Sequence, residues 1–485
     1  MVADLQSDCA IISDMDSYRN RNDFIQRGPL LTVLGSIALP LVLSNFIQNL
    51  FDLSSAIWLG QIGVAEFAAS NFVWPVTFLF VAVGFGIYVA GAAILARLIG
   101  QDEELKANHY ASQILILTVL IGLVLAVLGW LFTPLIVDGM RAGSEIRTPS
   151  IEFLQTTFLG FPFIAVYFAF QAILNAQGRT REMLTANAIS LIFNIVTAPF
   201  FIFSTGQSVK LPFVANNVVM PFGAGLGVTG AALSTVIAKF VLFAIGYFLV
   251  LRYSQTIRLQ WRVKPDMKAL KAILFIAVPA MLGQGGAAFG FIILHAFIED
   301  FGTAVMAAYA LVNRVTGLVM QPAMGIGGGL TSIVGQNLGA RKPERVTEAF
   351  HKANLINLVV SGLGAIAIFI WAEQLILFFL QSGAQDVLHH SMIYIYYILP
   401  TIPLMGMFSI FQGLFQGSGF TKYAMYMEIG RLWVIRLPMI VILSRFSNMG
   451  STAIWLAMSM SNLLTIAYGF YLYRRKHWLG EFRPA

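Results

Sequence analysis

Few side chains in this sequence can hold a cation or pass a proton, and they lie inside long apolar runs. Asp52 falls in a stripe with Asn45, Gln48, Asn49 and Ser55 at helical spacing. Three residues along a helix amount to about 4.5 Å of rise and about 60° of rotation, so Asp52 and Ser55 can serve one cavity a turn apart. Carboxylates among apolar groups ionise less readily than in water, a condition that suits reversible protonation near neutrality. Asp52 is thus a candidate carrier of a coupling H⁺ or Na⁺. The other reading places it near a helix end, solvated or capping a neighbour. His295 can titrate near physiological pH, and either answers Asp52 across a cavity or is hydrogen-bonded near a helix end. Asn194 and Thr197 are adjacent around one helix and offer oxygens that a Na⁺ ion can use. Gln284 and Asn313, followed by Arg314, are further polar candidates for a substrate cavity with Asn45, Gln48 and Asn49. Glu428 and Arg431 stand three apart and can pair on one helix face, as a structural pair or as a switch that breaks during a conformational change.

These groups need elements that hold them in an apolar medium. Of the 485 residues, 58% are hydrophobic and 11% charged, and mean hydropathy is +0.77. Soluble domains carry about 25% charged residues, so an all-α integral membrane protein is expected. Alternation every second residue, the mark of a porin-like barrel, is absent from the apolar runs. Twelve segments reach the roughly 20 apolar residues a spanning helix needs: 31–59, 68–99, 111–137, 150–176, 183–204, 223–252, 268–298, 303–335, 352–380, 389–415, 424–445 and 449–473. With the first terminus inside, 21 of the 30 basic residues fall on the inner side and 4 outside, which predicts cytoplasmic termini. The net charge of +7 then marks a face near anionic membrane lipids, and no nucleic-acid partner is called for. Residues 1–29 read as a cytoplasmic tail without a signal peptide, 253–267 as an inter-lobe loop and 474–485 as a second tail. The single cysteine, Cys9, allows no internal disulfide.

The chain repeats itself. Ile37-Ala38-Leu39-Pro40 recurs as Ile276-Ala277-Val278-Pro279 at an offset of 239, which also aligns Gly63 with Gly302, Gly86 with Gly325 and Gly100 with Gly339. Phe170-Gln171-Ala172 recurs as Phe411-Gln412-Gly413 at an offset of 241. Six spans per half give the halves one orientation about an axis along the membrane normal. Two parallel six-helix lobes, 30–252 and 268–473, around a central cavity are expected, the plan of a transporter.

Ile37 to Ser44 followed by Ile57-Trp58-Leu59-Gly60-Gln61-Ile62-Gly63 resembles the first helix of multidrug and toxic-compound extrusion (MATE) transporters. Gly335-Gln336-Asn337-Leu338-Gly339-Ala340-Arg341-Lys342-Pro343-Glu344-Arg345 resembles the loop after their eighth helix, and Glu428 to Pro438 their eleventh helix. The likeness covers about residues 30 to 475 and is nearest to the DNA-damage-inducible and archaeal branch. It implies a secondary antiporter of a bacterial or archaeal plasma (inner) membrane, exporting organic cations or amphipathic compounds in exchange for H⁺ or Na⁺. That branch often has an acid where this chain has Ser55, and another where it has Ala198. No cofactor beyond the coupling ion is implied, and a monomer is expected.

Other motifs carry less. Gly225-Leu226-Gly227-Val228-Thr229-Gly230 matches a dinucleotide fingerprint but follows no strand pattern, so close helix packing is the better reading. His389-His390 lacks metal-ligand spacing. No nucleophile–base pattern suggests an enzyme. Two rivals remain: a lipid-linked oligosaccharide flippase, which would want a basic cavity, and a non-transporting receptor or channel. If Asp52 carries the coupling ion, Asp52→Asn will abolish ΔpH-driven dye export from vesicles; undiminished export overturns that role.

Overall fold

The computed structural model describes residues 21–209, 218–254, 256–259, 264–379, 385–447 and 449–480, and the side chain of Asp52 lies outside the described residues. In a bilayer core each backbone N–H and C=O must find its partner within the protein, which favours long helices. A short helix α1 (Arg21–Arg27) leads into α2 (Leu30–Ile62), α3 (Val64–Gly100), α4 (Glu104–Gly139), α5 (Ser144–Leu159), α6 (Phe161–Ala176), α7 (Thr180–Ile202) and α8 (Gly227–Tyr253). A two-stranded antiparallel ribbon, β1 (Ser208–Val209) with β2 (Val218–Val219), joins α7 to α8. The second half holds α9 (Met267–Glu299), α10 (Thr303–Gly339), α11 (Pro343–Ile370), α12 (Ala372–Phe379), α13 (Gln385–Ile398), α14 (Ile402–Gly417), α15 (Thr421–Ile429), α16 (Leu437–Phe446) and α17 (Thr452–Arg474).

Ten of these stretches are long and apolar enough to span a membrane, with α13 and α14 taken as one across a 3₁₀ turn. The α5–α6 pair, bent by 46°, supplies an eleventh. The twelfth is α15 and α16, joined through the π-helical stretch Gly430–Arg436. The twelve expected spans thus each have a helical counterpart, and three of those counterparts are built from two helical pieces. The repeat holds to the residue at helix starts: α4 begins at Glu104 and α11 at Pro343, an offset of 239.

The lobes meet along α2, α3, α9 and α10. Where α3 crosses α10, backbone lies against backbone. A Cβ on Gly100 would collide with the Gln336 carbonyl, and one on Gly339 with the Arg97 carbonyl. The two collisions are repeat mates, so the pseudo-two-fold axis passes through this crossing. Around it, Ser332 Oγ donates to the Asn175 carbonyl and Gln336 Nε2 donates to the Ala176 carbonyl at 2.7 Å. These are carbonyls of the last turn of α6, where helical partners run out; that of Asn175 also accepts from the Gly178 amide at 2.8 Å. The seam lies at the end of the bundle that carries the basic loops, called here the basic face.

The loop before α9 is also fixed at that face. Asp266 caps α9, accepting from the Lys268 amide at 2.9 Å, and its other oxygen meets His109 Nε2 at 3.1 Å. The Lys268 amide first, then His109, hold the Asp266 carboxyl below the ordinary aspartate range. A lowered folded-state pKa adds stability that is present above the unfolded carboxylate range and lost as pH falls through the lowered value. Asp266→Asn is expected to flatten the acid limb of the melting-temperature profile in detergent below about pH 4; an unchanged acid limb would contradict this cap.

Candidate functional site

Above the seam, between the lobes, is a cavity of about 400 Å³. Four helices of each half reach it. From the first half come Asn45 and Gln48 on α2, Phe85 and Tyr88 on α3, Gln171 on α6 and Asn187 on α7. From the second come Gln284 on α9, Met324 on α10, Gln412 and Gln416 on α14, and Glu428 on α15. The walls repeat as the sequence does. Asn45 and Gln284 are mates at 239, Gln171 and Gln412 at 241, and Asn187 and Glu428 also at 241. Two mated pairs of side-chain amides therefore face the cavity, joined by Gln48, whose mate is Ala287, and by Gln416, with aromatic and Met side chains between them. Each amide presents both a donor and an acceptor. Charge enters at one pair, Asn187 and Glu428, where the second half carries a carboxylate in place of an amide.

Glu428 is the sole carboxylate lining the cavity among the described residues, and no Lys or Arg lines it. Its two oxygens are engaged separately: Gln412 Nε2 donates to one at 2.9 Å, and Arg431 Nη2 to the other at 2.9 Å. Arg431 is buried behind it, with Nη1 3.2 Å from Met405 Sδ and its guanidinium 4.6 Å from the centre of the Phe408 ring. Cations over aromatic faces gain electrostatic stabilisation. Arg436, fully packed within the second lobe, donates to Ser461 Oγ at 2.9 Å and Asn462 Oδ1 at 2.7 Å. Five residues of α-helix turn a side chain about 140° away. The π turn between Gly430 and Arg436 removes most of that rotation, so both arginines face inward. Such turns recur at functional sites.

The sequence candidates divide by position. Asn45, Gln48, Gln284 and Glu428 lie on the cavity wall, with Arg431 directly behind. Asn49 and Asn313 are not among the lining residues. Asn313 donates to the Tyr309 carbonyl at 2.8 Å and accepts from Tyr394 Oη at 3.3 Å, which makes it a packing residue of α10. His295 is exposed on α9, its ring edge-on to Tyr309 at 5.3 Å. Ser55 Oγ donates to the Phe51 carbonyl of its own helix at 3.2 Å, and Thr197 Oγ1 to the Phe193 carbonyl at 2.8 Å. Asn194 on α7 is buried, with neither side-chain polar atom hydrogen-bonded. On α8, Lys239 Nζ sits 4.4 Å from the centre of the Phe51 ring of α2. Groups of acids, His and Cys able to hold a metal ion do not occur among the described residues. Tyr88, Gln171, Asn187, Gln412 and Gln416 are missing from the sequence candidates. The repeat offered the signal, since Gln171 and Gln412 sit inside the matching tripeptides.

Removing one member of a buried ion pair leaves an unpaired charge, typically at a cost of about 3 kcal/mol or more. Arg431→Met is expected to lower stability in detergent by about 3 kcal/mol. The double variant Glu428→Gln/Arg431→Met will lose less than the single, as coupled neighbours do. Additive losses would show that the two groups are not coupled.

Comparison with known proteins agrees with this plan. The MatE family model matches residues 40–200 and 279–442, one block in each half. A probable multidrug resistance protein, YoeA, of Bacillus subtilis is 24% identical over 448 residues, covering 90% of this chain and 93% of its own length. An FAD transporter of Shewanella oneidensis is 24% identical over 457 residues, covering 93% and 96%. A MATE protein crystallised in complex with MaL6 superposes with a TM-score of 0.85 at 22% identity, over 95% of this chain and 98% of that one. With both halves matched and two six-span lobes enclosing one cavity, the chain belongs to the MatE family and is a multi-pass membrane transporter.

Proposed function

We propose that this protein is a secondary antiporter that exports small organic cations or amphipathic compounds in exchange for H⁺ or Na⁺, by exposing its cavity to the two sides of the membrane in turn. The observation that carries this reading is the lone described carboxylate, Glu428, in an amide and aromatic cavity shared by both lobes. An organic cation finds there aromatic faces, the soft thioethers of Met324 and Met425, and one negative charge, a combination that suits apolar cations. Glu428 is the point at which substrate and coupling ion compete in this reading. When either engages Glu428, Arg431 keeps Met405 Sδ and the Phe408 ring as partners, so the guanidinium retains two of its three contacts when the pair opens. The buried Asn194, whose amide has no hydrogen-bond partner, with Thr197 one turn on, is the alternative Na⁺ site in the first lobe.

The bias of basic residues supports an orientation with the basic face and both termini in the cytoplasm of a bacterial or archaeal plasma membrane. In that orientation the cavity of the described conformation is closed toward the cytoplasm by the α3–α10 seam. The multidrug resistance relative in Bacillus subtilis supports drug-like cargo. A lipid-linked pyrophosphate is a poorer fit, because no Lys or Arg lines the cavity among the described residues.

The test is reconstitution into vesicles with pH and sodium gradients imposed independently. Gradient-driven movement of a cationic dye, lost in Glu428→Gln, is expected. Dye movement indifferent to both gradients, or lipid scrambling without dye movement, overturns the proposal.

A further inference from the structure

Two segments at the basic face cross from one lobe to the other, and they are repeat mates. The first is α1 with the residues up to Gly28. It is the covalent lead into α2 of the first lobe, where Arg21 at its start donates to Ser36 Oγ at 3.1 Å and the Gly178 carbonyl at 3.2 Å, yet its C-terminal end is held by the second lobe. Lys342 Nζ donates to the Gln26 carbonyl at 3.2 Å, and Arg345 Nη2 donates to the Ile25 carbonyl at 3.3 Å and to the Gly28 carbonyl. These carbonyls form the negative end of α1, where cations are favoured. Phe24 and Ile25 are fully buried, in the apolar core cluster that residues of both lobes share.

The second segment is the linker 256–259 and 264–266. It leads into α9 of the second lobe and is held by α4 of the first. Asn108 Oδ1 accepts from the Arg258 amide at 2.6 Å. Gln113 Nε2 donates to the Lys264 carbonyl at 2.8 Å, while its Oε1 accepts from the Asp266 amide at 3.0 Å. Each lobe's first spanning helix is thus tied, at its basic end, to the start of the other lobe's third, α11 or α4. The two ties also touch: Asn22 Nδ2 donates to Thr256 Oγ1 at 2.9 Å.

We infer that these crossed ties are a two-part latch on the basic face, and that Arg345 and Gln113 are positioning residues that set how often the lobes part there. Parting the seam at Gly100 and Gly339 separates α2 from α11 and α9 from α4, so both ties must release. Most of their bonds run from a side chain of one lobe to the backbone of a segment leading into the other, so release exposes groups that water can satisfy at this face. The latch differs from the cavity chemistry in needing no substrate and no coupling ion.

The experiment is a distance measurement between spin labels on the full chain in lipid nanodiscs, in a Cys9→Ser background. Leu105→Cys and Glu344→Cys are exposed repeat mates at the starts of α4 and α11, on opposite lobes. The parent should give one short distance. Arg345→Ala and Gln113→Ala should each add a longer-distance population, grown several-fold, with their combination adding more. Arg345→Lys, which keeps a cationic donor, should largely restore the short distance. An unchanged distribution in folded Arg345→Ala and Gln113→Ala overturns the latch, as does an equal opening in Arg345→Lys and Arg345→Ala. Should Arg345→Ala fail to fold, Asn22→Ala, which removes the Asn22–Thr256 contact between the ties, takes its place: an added longer-distance population supports the latch, and an unchanged distribution overturns it. Because the readout uses no transported compound, failure of the antiport reading leaves it intact.

Discussion

The architecture depends on one close crossing, where α3 and α10 pass with Gly100 and Gly339 against each other's backbone carbonyls. Lipid chains are as apolar as leucine, so helices in a membrane are not driven together by water and must gain from packing and hydrogen bonding. Glycine lets two helices approach to backbone contact. That closeness brings Ser332 and Gln336 within reach of the last carbonyls of α6. It also sets the floor of the cavity and places the loops of the basic face where each can reach the other lobe. A methyl group at either glycine would push the lobes apart at the axis, and the hydrogen bonds around it depend on their separation.

The same two-fold relation explains the cavity. Duplication places equivalent side chains on opposite walls, and Asn45 with Gln284 and Gln171 with Gln412 still carry amides on both. A symmetric amide ring is adaptable but carries no charge. Gln48, whose mate is Ala287, departs from it without adding charge, and the exchange that introduces charge is at Asn187 and Glu428. In the first lobe the Asn187 amide nitrogen has no partner, while Oδ1 accepts from Tyr167. In the second lobe the carboxylate needs cationic company, and the π turn supplies it by rotating Arg431 and Arg436 to the same side. The asymmetry of charge thus required an asymmetry of backbone, located in the same stretch of chain.

Much of this was legible in the sequence. Hydropathy marks the spans, the repeat marks the lobes, and the pairing of Glu428 with Arg431 follows from helical spacing. Helical spacing says which residues share a face but not how high along the bundle a cavity ends. His295 lies eleven residues beyond Gln284, about 16 Å further along α9, and Asn313 lies as far from Met324 on α10. Both share a helix with the cavity and miss it by height. The amides of α6 and α14 show the opposite failure. Gln412 and Gln416 stand one turn apart, as do Gln171 and Asn175, but a short polar pair in an apolar helix marks a face without saying what that face meets, and the repeat is what singles these residues out. The π turn had no signal in spacing, because Glu428 to Pro438 reads as ordinary helix.

Arg436 bears on the polarity of the whole site. Among the described residues the interior of the second lobe holds two guanidiniums and one carboxylate, and Arg436 is satisfied by neutral oxygens of Ser461 and Asn462. A buried cation held this way is tolerated only where its donors are well matched, which ties α15 to α17 through the π turn. The excess positive charge lies behind Glu428, away from the cavity. It therefore steadies the carboxylate from the rear while the cavity meets only the negative group. In the proposed cycle a substrate cation approaches from the front, where Gln412 and Glu428 stand, and Arg431 is drawn back toward Met405 and Phe408. The polarity of the site thus follows from the order of charges along one broken helix, with the carboxylate one turn nearer the cavity than its arginine.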